Sequence, residues 1–169
     1  MYGLVKPQHL VDIAKAVSNC LGTGKYNVAT LSLLETTCAE TGFGQVPDKT
    51  EGYAGAGVSQ VDKGTFDWLV SKYQGTAVDE KIKAAFGFRL GDLLYSELDR
   101  NPLAAMIIAR LRYKVVPAAI PLTRIERAAY WKEHYNTSAG KGTKAHYMDM
   151  CRILDELQER GEITLGEVL

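Results

Sequence analysis

Nothing in this chain reads as a covalent or metallic staple. Its three cysteines, Cys20, Cys38 and Cys151, are odd in number and widely spaced, with no C-x-x-C pair, which excludes a disulfide framework or a zinc cage and leaves mostly buried free thiols. The histidines His9, His134 and His146 lack metal-ligand spacing, and no serine or cysteine stands in the context of an activated nucleophile. No metal and no cofactor is expected. An excess of one charge is missing too: twenty Lys and Arg balance twenty Asp and Glu, so no global field gathers nucleic acid or anionic lipid. No apolar run is long enough to cross a bilayer. Neither nucleic acid nor membrane insertion is therefore expected. Met1 to Val17 carries no basic segment followed by an apolar core and a small-residue cleavage site, so export by such a leader is not expected. Gly22-Thr23-Gly24-Lys25 and Gly140-Lys141-Gly142-Thr143 have the look of phosphate loops but lack the full spacing and a buried strand before them.

What is present is an ordinary globular composition. With 169 residues, 46% hydrophobic and 24% charged, the chain is expected to fold as one domain, 1–169, with a core that needs no cross-links. Leu10, Ile13, Ala14 and Val17 share a helix face behind Pro7, and Leu21 to Lys25 ends that helix. Val28 to Cys38 reads as a second, largely buried helix capped by Asn27, with Leu31, Leu34 and Cys38 inward and Glu40 at its end. Residues 42 to 57 are rich in Gly, Asp and Pro and read as loops or a short irregular hairpin. Asp62 caps a helix through about Tyr73; Val78, Ile82, Ala85 and Phe86 mark another. Asn101-Pro102 opens a stripe of Leu103, Met106, Ile107 and Leu111. Thr123 and Glu126 have capping-box spacing, so Ile125, Ala129 and Trp131 begin a helix ending near His134. Thr143 opens the last, to about Arg160, with Tyr147, Met150, Cys151, Leu154 and Leu157 inward. The expectation is a mainly helical domain with one irregular strand and loop region.

Glu40 stands out chemically. A carboxyl group closing an apolar helix, beside Phe43 and at the helix's negative dipole end, is in a setting that favours its proton-bearing form, as acid catalysis requires. Glu35 is a rival acid on a different face of the same helix.

Glu40-Thr41-Gly42-Phe43-Gly44, Pro47-Asp48, Gly55-Ala56-Gly57-Val58-Ser59-Gln60, and Tyr135-Asn136 with Gly140 follow one another in an order that resembles the lytic transglycosylase branch of the lysozyme superfamily, particularly its small phage-encoded forms. The likeness spans roughly Leu31 to Thr143. It implies an α+β lysozyme-like fold whose irregular region lines a glycan cleft, and an enzyme that cuts the β-1,4 bond between N-acetylmuramic acid and N-acetylglucosamine in peptidoglycan. Glu40 is then the catalytic acid and base, and the residues expected at the substrate are Phe43, Tyr53, Gly57, Val58, Ser59, Gln60, Tyr135 and Asn136. Val58 and Ser59 stand where the family commonly has Leu and Met, and Thr41 where it has Ser. Five of these contact residues have an ordinary alternative. Gln60 and Ser59 bond acetamido groups or finish a turn, Tyr53 and Tyr135 offer sugar-facing rings or fill the core, and Asn136 faces the cleft or ends a helix. Trp68 and Trp131 are expected in the core.

Hydrolysis needs a second carboxylate, for which Asp48, Glu51 and Asp62 are candidates, whereas a lytic transglycosylase uses the substrate's own acetamido group and 6-hydroxyl. Asp62 reads better as a helix cap and Asp48 as a turn residue, so transglycosylation is favoured. The resemblance implies peptidoglycan strands as partner, with other phage virion proteins beside them, in the phage virion or, on delivery, in the host cytoplasm or periplasm. Two alternatives stay open: a virion structural or docking protein that keeps the fold with little activity, compatible with net neutrality and the apolar Val168-Leu169, and a chitinase-like hydrolase.

Overall fold

The computed structural model describes residues 2–46, 55–137 and 140–166. Among these the chain is mainly helical: α1 Pro7–Leu21, α2 Ala29–Thr41, α3 Lys63–Tyr73, α4 Ala77–Phe86, α5 Pro102–Lys114, α6 Arg124–Trp131, α7 Lys144–Met150 and α8 Arg152–Glu159. Tyr53, Asp48, Glu51, Val168 and Leu169 lie outside the described residues. The described strand structure is a single antiparallel bridge between Ala56 and Val61. No helix among the described residues is long and apolar enough to cross a membrane.

The fold is organised around α2. Every residue of this helix except Glu40 is buried, and it packs against α1, α5, α7 and α8. A helix buried all round must satisfy its polar side chains internally. Thr36 Oγ1 donates to Ser32 O and meets Tyr113 Oη, each at 2.7 Å, and Thr37 Oγ1 donates to Leu34 O at 2.7 Å. The expectation of one inner face built on Leu31, Leu34 and Cys38 is thus too narrow. Local hydroxyl-to-carbonyl bonds let threonines pass for core residues.

Caps explain most boundaries. Pro7 and Pro102 sit in the first turns of α1 and α5, Asp62 accepts from Thr65 N ahead of α3, and the Thr123–Glu126 box opens α6. Asn27, expected to cap α2, does not: Val28 takes that position, while Asn27 adopts φ 56° and accepts a bond from Thr23 Oγ1 at 2.8 Å. The last helix divides at Cys151 into α7 and α8. Trp68 is 51% exposed, against the expectation of a core position, and Ile125 in the first turn of α6 is 72% exposed. In α6 the inward face is Arg127, Ala128, Tyr130 and Trp131. In α3, Phe66 and Leu69 take the core side, and a residue two positions from Phe66 points about 200° around the helix. Cys38 and Cys151 are buried, Cys20 is half-buried, and all three are free thiols.

Candidate functional site

Three backbone devices bring the site together. At the end of α2, Gly42 takes the left-handed conformation (φ 55°, ψ 47°), Gly42 N donates to Cys38 O and Phe43 N to Thr37 O, the bond pattern that closes a helix abruptly. The chain turns away immediately after Glu40. Phe43 follows at φ 61°, a conformation that costs a non-glycine residue about 1 kcal/mol or more, and its ring is 2% exposed. Burial of the ring compensates for the backbone.

The second device is the tight turn from Gly55 to Gln60. Ala56 and Val61 exchange backbone bonds at 2.9 and 3.0 Å. Gly57 has φ 75°, and a side chain there would meet Ala105 Cβ at 2.6 Å, so only glycine lets the turn reach α5. Three helices and the turn before α5 pin it: Thr41 Oγ1 donates to Val58 O (2.7 Å), Ser59 Oγ to Ala105 O (3.2 Å), Tyr135 Oη to Ser59 O (2.8 Å), and Gly57 N to Asp99 Oδ1 (2.8 Å).

The third device is a π-helical turn, Lys132–Asn136, that ends α6. Wide turns of this kind redirect side chains and recur at functional sites. Lys132 Nζ donates to Asn136 Oδ1, Thr137 O and Gly140 O at 2.7, 2.8 and 2.8 Å. One ammonium thereby holds the loop beyond the helix.

Between these parts lies a cleft of about 580 Å³. One wall is the end of α2, Ala39 and Glu40; the turn contributes Gly55, Gln60 and Asp62; the facing wall is Trp131, Tyr135, Asn136 and Thr137; and Gly140 to Gly142 with His146 close the rim. Glu40 is half-buried, and Trp131 Nε1 donates to its Oε1 at 3.0 Å. The indole orients the carboxyl group from a core position, since Trp131 is 1% exposed and packs on Tyr147 with ring centroids 5.2 Å apart. His146 Nε2 lies 2.9 Å from Ala39 O; a carbonyl only accepts, so this nitrogen carries the hydrogen. Burial, and then the nearby Glu40 carboxyl, push the Tyr135 phenol well above its ordinary value, so it serves as a protonated donor to Ser59 O.

Of the residues expected at a substrate, Glu40, Gln60, Tyr135 and Asn136 line the cleft. Phe43, Gly57, Val58 and Ser59 do not: all four are buried behind its wall and support it. Val58 sits at 0% exposure, with no surface left for a ligand. Gln60, at φ 47°, folds its amide back to donate to Gly57 O at 2.9 Å, so its turn-finishing role is real alongside its place in the cleft. Tyr53 lies outside the described residues. Glu35 is excluded from the cleft. It is 0% exposed and bonded to Arg124, Arg127 and Tyr147.

Sequence reasoning missed Trp131, His146, Lys141 and Thr137 as cleft residues. Trp131 was legible in principle, because it stands four residues before Tyr135 and so on the same helix face. Among the described residues no group of three or more His, Cys, Asp or Glu is placed to hold a metal ion. No protein-family model matches the chain, and no curated protein or solved structure matches it.

Proposed function

We propose that this protein cleaves peptidoglycan glycan strands as a lytic transglycosylase, with Glu40 as general acid and then general base. The observation that carries the reading is Glu40 itself: the one residue of α2 left unburied, opening into a cleft of about 580 Å³ and oriented there by an indole N–H. The α+β lysozyme-like architecture belongs to the same proposal.

With Oε1 accepting from Trp131, the proton of the acid form resides on Oε2. Glu40 gives it to the glycosidic oxygen as the bond to C1 breaks, and the acetamido oxygen of the same sugar closes on C1. The carboxylate then takes the proton of the 6-hydroxyl, whose oxygen displaces the acetamido group at C1 and leaves a 1,6-anhydro sugar with Glu40 protonated again. No other protein carboxylate is required. Among the described lining residues the other acid is Asp62, whose Oδ1 accepts from Thr65 N and Oδ2 from Thr65 Oγ1, at 2.8 and 2.7 Å, which supports the cap reading of this residue.

The test is mass spectrometry of products from purified peptidoglycan. Anhydro ends from the wild type, with a loss of about a thousandfold in Glu40→Gln and an unchanged circular dichroism spectrum, are the expected result. Reducing ends would assign a hydrolase instead. Intact peptidoglycan in the presence of folded wild-type protein refutes the proposal and favours a docking role.

A further inference from the structure

We infer that Lys141 is a specificity residue that recognises a carboxylate carried by the glycan, so that the cleft prefers acidic strands to neutral ones. This rests on the glycan-cleaving reading above. Lys141 is exposed, lines the cleft, and makes no hydrogen bond or ion pair among the described residues.

Its placement is built rather than incidental. The flanking residues are glycines because nothing larger fits: a side chain on Gly142 would meet the Trp131 ring at 2.5 Å and Asn136 Nδ2 at 2.9 Å, and one on Gly140 would run into Asn136. The two glycines press the loop onto the cleft wall, while Lys132 fixes it from behind through Thr137 O and Gly140 O. Lys141 is thereby left as the long side chain of that rim.

The cation without an ion pair gives the ligand's sign. Among the described residues, the ionisable side chains lining the cleft are Glu40, Asp62, Lys141, Tyr135 and His146. Glu40 is uncharged when it acts as an acid and Tyr135 is held protonated; Asp62 remains an anion, because burial, which raises its carboxyl, is outweighed by the Thr65 hydroxyl and amide and then Arg112, which hold it below the ordinary value, and both its oxygens are already bonded to Thr65. The Lys141 ammonium, which forms no ion pair among the described residues, is the cation among the described cleft-lining side chains, and an exposed ammonium there is complementary to a carboxylate. On a peptidoglycan strand that group is either the lactyl carboxylate of a peptide-free sugar or an acid of the stem peptide.

The experiment compares Lys141→Met and Lys141→Arg with wild type on three soluble strand preparations: peptide-free, stem-bearing, and the same strands with every carboxylate amidated. An exposed ion pair predicts that Lys141→Met raises KM about threefold to fivefold on one of the charged preparations. The expected accompaniments are kcat within about twofold, no change on amidated strands, and near-wild-type KM for Lys141→Arg; the gap closes as salt screens the pair. The charged preparation affected names the source of the carboxylate. Equal KM values for wild type and Lys141→Met on both charged preparations overturn the inference, as does an equal loss on amidated strands. If wild type cuts none of the strands, the glycan-cleaving reading fails by itself. Binding of the same three preparations by the Glu40→Gln protein, with and without Lys141→Met, still decides for or against Lys141.

Discussion

Replacing Glu35 by Gln separates the two glutamates of α2 more sharply than any other single change. Glu35 Oε1 accepts from Arg124 Nε at 2.9 Å and Arg127 Nη2 at 2.7 Å, while Oε2 accepts from Arg127 Nε at 2.6 Å and Tyr147 Oη at 2.9 Å. A glutamine keeps one acceptor oxygen and turns an NH2 group towards the remaining donors, so donor faces donor on one side. Arg124 is protected by its paired bonds to Asp155, both at 2.7 Å. Arg127 is not: it is 5% exposed, and its remaining partners are the carbonyls of Pro121 and Leu122. Leaving a buried guanidinium without its counter-charge costs about 3–5 kcal/mol. At roughly 2–4 °C per kcal/mol for a domain of this size, Tm should fall by about 6–20 °C, whereas Glu40→Gln should move it by only a few degrees. The assay is thermal unfolding followed by circular dichroism, with urea denaturation to give the free-energy change directly. A loss below about 1 kcal/mol for Glu35→Gln refutes the ion-pair account. A Glu35→Gln protein of wild-type stability that no longer cuts peptidoglycan would transfer the acid role from Glu40 to Glu35.

Two further outcomes follow from the same geometry. Trp131→Phe keeps the ring but removes the N–H bonded to Glu40 Oε1; kcat on peptidoglycan should fall about tenfold, the value of one hydrogen bond to a charged group, with the circular dichroism spectrum unchanged. A kcat within about twofold of wild type would mean that the indole does not orient the acid. Asp79 is 2% exposed; burial alone would raise its carboxyl value, but the amides of Leu90 and Gly75, both at 2.8 Å, and then Arg89 outweigh burial and hold it below the ordinary carboxylate range. A depressed carboxyl contributes stability that is present above its unfolded value, near pH 4, and lost as pH falls through the lower folded value. Asp79→Asn should therefore lose stability at neutral pH and show a shallower decline in urea-measured stability on acidification; an unchanged acid slope counts against this.

Much of the fold was legible because its signals are local. A helix start is decided within four residues, so Asp62, Asn101, Thr123 and the prolines at 7 and 102 declared their helices without reference to the rest of the chain. Periodicity failed where the surroundings of a helix are not two-sided: α2 is enclosed, so its threonines carry no amphipathic stripe, and Asn27 lost its capping role to a turn closed by Thr23. The division at Cys151 was not visible either, because Tyr147, Cys151 and Leu154 are all buried on one continuing face. For the site, the residue order singled out Glu40, Gln60, Tyr135 and Asn136, all of which the fold brings to one cleft.

The sequence by itself determined where the chain turns. Gly42 and Gly57 take left-handed φ, and a side chain on Gly55 or Gly140 would meet the backbone of Gln60 or Asn136, only five and four residues away, so those constraints are local. It also determined that a glutamate would end the second helix. Only the tertiary structure decided which side chains beside that glutamate remain reachable. Phe43, Val58 and Ser59 are closer to Glu40 along the chain than Trp131, Lys141 or His146, yet the first three are sealed behind the wall and the last three line the cleft. Burial depends on what packs from the other side, and the chain supplies those partners from 46 to 112 residues away: Ala105 beneath Ser59, Trp131 across from Glu40, and Tyr147 against Glu35.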